Sequence, residues 1–166
     1  CSSNCNPSCS CGKYMEIWNN VFMEFFRNEN GKLTKLKNHN VDTGMGLERT
    51  VTVLNNLESV YDSDLFSNLK TKLEELTNLK YEDNKTSFRI IMDHIRTSTI
   101  ILGDNHKITP SNVEAGYVLR RLLRRAIRQI KKLNVNDNIL CDLADVVIND
   151  YKDYYEELLI NNEFIF

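Results

Sequence analysis

The chain has 166 residues, 42% of them hydrophobic, which is enough for one domain with a real core or for a small lobe beside a helical domain. Lys and Arg number 21 against 23 Asp and Glu, so the net charge of −2 by itself points to no class of partner. No apolar run approaches the roughly 20 residues that span a bilayer, and no signal-peptide pattern is present, so the expectation is a cytoplasmic protein with no membrane partner.

The charge is unevenly placed. Seven basic residues and no acid lie between Tyr117 and Lys132, whereas eight acids and one Lys lie between Asp137 and Glu163. Such neighbouring blocks mark a polarised surface. Because the chain opens on Cys rather than Met, it is expected to be an excised piece of a longer protein.

Residues 1–13 read as an irregular loop rich in Cys, Ser, Asn, Pro and Gly. Residues 14–26, with Tyr14, Ile17, Trp18, Val21, Phe22 and Phe25, read as a buried strand, with Trp18 in the core on the side opposite Asn19 and Val21. Asn28-Glu29-Asn30-Gly31 predicts a turn, and residues 32–47 return as a second strand, so the two should pair antiparallel. After Arg49 the pattern becomes helical. Val51, Leu54 and Leu57 suit one short helix, and Leu65, Leu69, Leu73 and Leu76 line a second over residues 64–79. A third covers residues 87–102 and ends at Gly103.

Ser111 and Glu114 form a capping-box pattern that predicts the start of a fourth helix, running to Leu133. Two more helices are expected at residues 138–148 and 152–161, with Cys141 in an apolar stripe. The strand-like text ends near residue 60, which predicts two domains, residues 1–60 and 61–166.

Three groups of residues carry chemistry. In Asp42-Thr43-Gly44-Met45-Gly46-Leu47-Glu48-Arg49, alternate glycines bare one side of a strand to a flat ligand. Arg49 beside a helix N-terminus suits phosphate, and Asp42 suits an amine. A glycine-rich turn with a capping acid is the plainer alternative. In the fourth helix, Arg120, Arg121, Arg124, Arg125 and Arg128 with Lys131 and Lys132 form a basic face without internal acids. That face suits nucleic-acid backbone, a solvated surface, or pairing with the acidic C-terminal helices. Finally, Cys1, Cys5, Cys9 and Cys11 offer four soft ligands in a short loop, suited to zinc or left as free thiols.

Asp42 to Arg49 resembles the third signature motif of class II aminoacyl-tRNA synthetases, in the form found in alanyl-tRNA synthetases. Glu16-Ile17-Trp18-Asn19-Asn20-Val21-Phe22-Met23 is similar to the strand that precedes it there. Asp93-His94-Ile95-Arg96, Pro110-Ser111-Asn112, and Gly116-Tyr117-Val118-Leu119-Arg120-Arg121 with Arg124-Arg125-Ala126 are similar to the downstream helices, in the same order. The resemblance spans residues 14–166.

It implies an α+β fold: antiparallel strands from the end of a class II catalytic sheet, with the cysteine-rich loop, then a mostly α-helical tRNA-recognition domain. The implied activity is alanine activation by ATP with Mg2+, followed by transfer to tRNA(Ala). By resemblance, Arg49 contacts the ATP phosphates with Glu48 beside it, and Asp42 pairs with the alanine ammonium. Asn19 and Val21 line the amino-acid pocket, Gly44 forms its floor, and Gly46 lets the adenine side pack closely. A single methyl separates glycine from alanine and is worth only about 1–3 kcal/mol, so the pocket must be small.

The basic helix, with Asn112 before it, is the implied tRNA acceptor-stem contact. The family reads a G·U wobble pair there, but Val113, Glu114 and Ala115 depart from a common family pattern, leaving Asn112 and Glu114 as candidate readers. A similar cysteine-rich insert occurs in some members, whereas their better-known zinc site lies in an editing region outside these residues. The first two signature motifs are absent from these 166 residues, so the fragment alone is expected to be inactive in alanine-dependent pyrophosphate exchange. The competing readings are a non-catalytic synthetase-like paralogue that binds tRNA or a partner protein, and a metal-binding module. The oligomeric state stays open.

Overall fold

The computed structural model describes residues 3–166, which fall into two compact units, one ending at Ser63 and one running from Asp64 to Phe166. In the first unit, β1 (Trp18–Arg27) and β2 (Leu33–Met45) pair antiparallel as a two-stranded sheet. The turn between them is fastened by Gly31 N–H to Asn28 O at 2.8 Å, and Gly31 takes the positive φ of 76° that this turn requires. The register runs from Trp18 opposite Met45 to Met23 opposite Asn40, breaks in an irregularity, and resumes at Phe25 opposite Lys35. Gly46 then caps a short helix, α1 (Leu47–Leu54), and a 3-10 turn follows at Val60–Asp62.

The strand predicted as buried is exposed along its whole length. Trp18 is 57% exposed and donates its indole N–H to Thr43 Oγ1 at 3.1 Å. The reason is architectural: a hairpin of two strands has no second layer within this unit, and aromatic content reports only that a face is suited to burial.

The second unit is helical: α2 (Ser67–Thr77), α3 (Lys85–Gly103), α4 (Glu114–Lys132), α5 (Leu140–Tyr151), and the short α6 (Glu157–Ile160) and α7 (Asn162–Ile165). α3 lies at the centre and packs on each of the others. Phe88, Ile91, Met92 and Ile95 from α3 meet Leu69 and Leu73 from α2, Leu119 and Ala126 from α4, and Leu143 and Val147 from α5 in one buried core. Two glycines make close approaches. A Cβ on Gly103 would overlap Leu158 Cδ2 and sit 3.3 Å from Ile165 Cδ1, so α3 ends where α6 and α7 press against it. A Cβ on Gly116 would lie 2.5 Å from Thr109 O.

The start of α4 differs from the capping-box expectation. The helix begins at Glu114, with Val113 in the cap position and no side-chain cap bond. Ser111 instead turns on itself, its Oγ donating to Val113 O at 3.0 Å, while its own N–H reaches Gly116 O at 3.0 Å. Ser111 competes for local backbone groups, as Ser does in turns, and the turn wins here. Cys141 is exposed rather than core, being one position out of phase with the buried Leu143, Ala144 and Val147. The last predicted helix is two short ones, interrupted where Asn161 donates to Gly103 O at 2.8 Å.

Candidate functional site

Directly opposed residues of an antiparallel pair project to the same face, and residues two apart in a strand do likewise. Asn19 opposes Gly44, and Val21 opposes Asp42. Asn19, Val21, Asp42 and Gly44 therefore share one face of the hairpin, while Trp18, Thr43 and Met45 occupy the other. The first face offers an amide, a small apolar wall, a carboxylate and a bare stretch of backbone. A Cβ at Gly44 would stand 3.5 Å from Asn19 Oδ1, so glycine there keeps the space beside the amide open.

At the end of β2, Gly46 N–H donates to Ile17 O at 3.0 Å, which carries the pairing one step beyond the strand before α1 begins. Arg49 stands in the first turn of α1 and folds back over Gly46, where a Cβ would lie 3.4 Å from Arg49 Cδ. Its Nη1 donates to Glu16 O at 2.8 Å. Asn19 Nδ2 donates to Glu16 Oε1 at 2.8 Å. Glu16 is thus tied to two of the predicted site residues, and sequence reasoning assigned it no role. Its position three residues before Asn19 was visible, but nothing in the sequence indicated that Arg49 would reach back across 33 residues to its carbonyl. Glu48 is half-buried in the same first helical turn.

Cys5, Cys9 and Cys11 converge in the loop before β1, each sulfur within 4.8 Å of the others. Cys5 Sγ and Cys11 Sγ are 3.5 Å apart. The Cys11 thiol is held below its ordinary range, first by the Lys13 backbone N–H and then by the neighbouring thiols, whereas Cys5 is raised as the partner that keeps its proton. Cys1, the fourth ligand expected from the sequence, lies outside the described residues. Cys141 belongs to the other unit and is far in sequence from this cluster.

In the helical unit, the seven basic residues of α4 fall within an arc of about 140°, taken at about 100° per residue. That arc is opposite the buried Leu119, Ala126 and Ile130. Arg121, Arg124, Arg125 and Arg128 are exposed, and Arg120 is half-buried and donates to Asn112 Oδ1. Arg121 lies over the Tyr117 ring at 5.6 Å. Among the described residues no acid forms an ion pair with any of these five arginines, although acidic α5 belongs to the same unit. Nearby, Arg96 stacks on Phe66 at 4.3 Å, and His94 is buried with Nδ1 2.9 Å from Asp93 Oδ2.

The hairpin face thus carries an amide, a carboxylate and bare backbone, and the helix that follows has an arginine in its first turn. The chain belongs to the family described as tRNA synthetases class II (A), which it matches over residues 2–166. It is 51% identical to the alanine–tRNA ligase of Borrelia hermsii and 49% identical to that of Treponema denticola, in each case over 99% of the chain. The alanine–tRNA ligase of Alkaliphilus oremlandii is 43% identical over 97% of the chain. The chain spans 28% of the length of the first two relatives and 18% of the third. Among the described residues, no helix is long and apolar enough to cross a membrane.

Proposed function

We propose that this chain is part of a cytoplasmic alanine–tRNA ligase, supplying one side of the alanine and ATP site and the helix that meets the tRNA(Ala) acceptor stem. The observation that carries the reading is the shared face of Asn19, Val21, Asp42 and Gly44, with Arg49 held at its end. On this face Asp42 takes the alanine ammonium, Asn19 and Val21 line the pocket, and Gly44 forms its floor. Arg49 neutralises phosphate charge as the alanine carboxylate attacks the α-phosphate, and Gly46 gives the adenine side close access to backbone. Reactions of this kind need placement and charge neutralisation more than covalent help.

The cofactors on this reading are ATP with Mg2+ and zinc at the cysteine loop. Magnesium takes hard oxygen donors and spreads phosphate charge, and Glu48 is the carboxylate of this chain that suits it. The exposed arginines of α4 hold acceptor-stem phosphates, which positions the tRNA without reading its sequence. The two domains of the proposal are residues 1–60, the end of the catalytic domain, and residues 61–166, the tRNA-recognition domain.

The test is aminoacylation of tRNA(Ala) by the full-length protein, with and without Asp42→Ala. Loss of a hydrogen bond to a charged group is worth about 1.5–3 kcal/mol, so KM for alanine should rise roughly 10- to 150-fold. An unchanged KM overturns the role of Asp42. Wild-type protein that binds tRNA(Ala) without charging it would instead be the non-catalytic paralogue.

A further inference from the structure

We infer that the cysteine loop is a metal-held brace on the adenylate site: Cys5, Cys9 and Cys11 bind one zinc-type ion, and the closed loop fixes Glu16, to which Arg49 and Asn19 are both bonded. The metal half stands on the loop alone, whereas the effect on the adenylate site rests on the ligase reading above.

The donor geometry comes first. Thiolates bonded to zinc at about 2.3 Å in a tetrahedron lie roughly 3.8 Å from one another. Here the Cys5 and Cys11 sulfurs are 3.5 Å apart, and all three sulfurs fall within 4.8 Å. Little movement is needed to close them on an ion. The loop is already curled for the purpose. Cys9 N–H donates to Asn6 O at 2.9 Å, Ser8 N–H donates to Asn6 Oδ1 at 2.9 Å, and Gly12 turns the chain at φ 81° directly after Cys11. Three soft sulfur donors without a carboxylate among them select zinc over magnesium or calcium. Cys11 is exposed, which leaves the ion a side open to a fourth ligand.

The connection to the site is short. Four residues separate Cys11 from Glu16, and they lie before β1 begins at Trp18. On the far side Glu16 is held by the Arg49 and Asn19 bonds, and Ile17 by Gly46. On the near side, the loop is the neighbouring anchor along the chain. Closing that loop on an ion removes chain freedom from the segment that presents the Glu16 carbonyl, so Arg49 is oriented before ATP arrives.

The experiment compares the full-length protein with its Cys5→Ser/Cys9→Ser/Cys11→Ser variant. Metal content is read by elemental analysis, and Co2+ substitution is read by cobalt–thiolate charge-transfer absorption. The wild type should hold one more equivalent of zinc than the variant and show the thiolate band. Alanine-dependent pyrophosphate exchange should then give a KM for ATP raised roughly tenfold in the variant, the worth of one charged hydrogen bond no longer preformed, with kcat little changed. Wild-type protein stripped with a chelator should show the same KM shift, reversed by added Zn2+, which guards against a variant that fails to fold. Equal zinc in wild type and variant overturns the metal site. A zinc difference with an unchanged KM overturns the brace. Absence of exchange in zinc-loaded wild type refutes the ligase reading and the brace with it, while the extra zinc equivalent still supports the metal site.

Discussion

The basic face of α4 gives the sharpest quantitative test of tRNA contact. Arg124, Arg125 and Arg128 are exposed, lie on the side away from the buried Leu119 and Ala126, and have no ion-pair partner among the described residues. Replacing all three by Ala therefore removes charge from the surface while leaving the core intact, and Ala is the best helix former. If each arginine neutralises one acceptor-stem phosphate, each contributes about 0.9 to the slope of log K against log salt. The triple variant should lose about 2.7 from that slope. Between 1 M and 0.1 M salt this difference corresponds to roughly 500-fold, so the variant should bind tRNA(Ala) about 500-fold more weakly at 0.1 M and almost equally at 1 M. Filter binding of labelled tRNA(Ala) to the full-length protein over a salt series measures it, with circular dichroism to confirm unchanged helix content. An unchanged slope with an intact fold would refute the assignment of this face to the phosphate backbone.

Two further outcomes follow from the helical unit. Gly103→Ala should destabilise it by about 1–3 kcal/mol, because the new methyl overlaps Leu158 Cδ2 and Leu158 is itself fully buried. The gain from removing a helical glycine, about 0.5–1 kcal/mol, is smaller, so the melting temperature should fall rather than rise, and calorimetry decides the sign. Glu74 accepts the Tyr81 N–H at 2.8 Å and lies near Lys80, which holds its carboxyl below the ordinary range. A carboxyl lowered in the folded state stabilises at pH values above its unfolded range, and the effect is lost as pH falls through the folded value. Glu74→Gln, which keeps a neutral acceptor, should therefore cost about 1 kcal/mol at neutral pH, and the gap to wild type should close in acid. Denaturant titrations at several pH values read this directly, and a gap independent of pH would contradict it.

The clearest sequence signals were those in which backbone chemistry and periodicity agree. Alternate glycines between Asp42 and Arg49 marked a bare strand face, and the strand period alone set Asn19 and Val21 on one side and Trp18 on the other. The leucine spacing of α2 and the apolar stripe of α3 identified core residues, because a period of 3.6 is imposed by the helix itself. What failed were inferences about context. Trp18 looked like core because its side chain is apolar, yet burial depends on a second layer that a two-stranded hairpin does not carry. Ser111 and Glu114 had the spacing of a capping box, but the close fit of Gly116 against Thr109 and Ser111 favours a tight turn instead. Glu16 escaped notice because its bond to Arg49 is made by a carbonyl, and every residue has one.

Arg49 rests on a main-chain oxygen rather than on an acid, and among the described residues no carboxylate forms an ion pair with it. A guanidinium docked on a full negative charge would have to surrender that attraction before greeting an anion. An amide oxygen carries only a partial charge, so it works as a peg: it aims the side chain yet yields to any stronger suitor. Readiness is thereby separated from tenacity, and the group keeps nearly all of its pull for any anion that comes within reach.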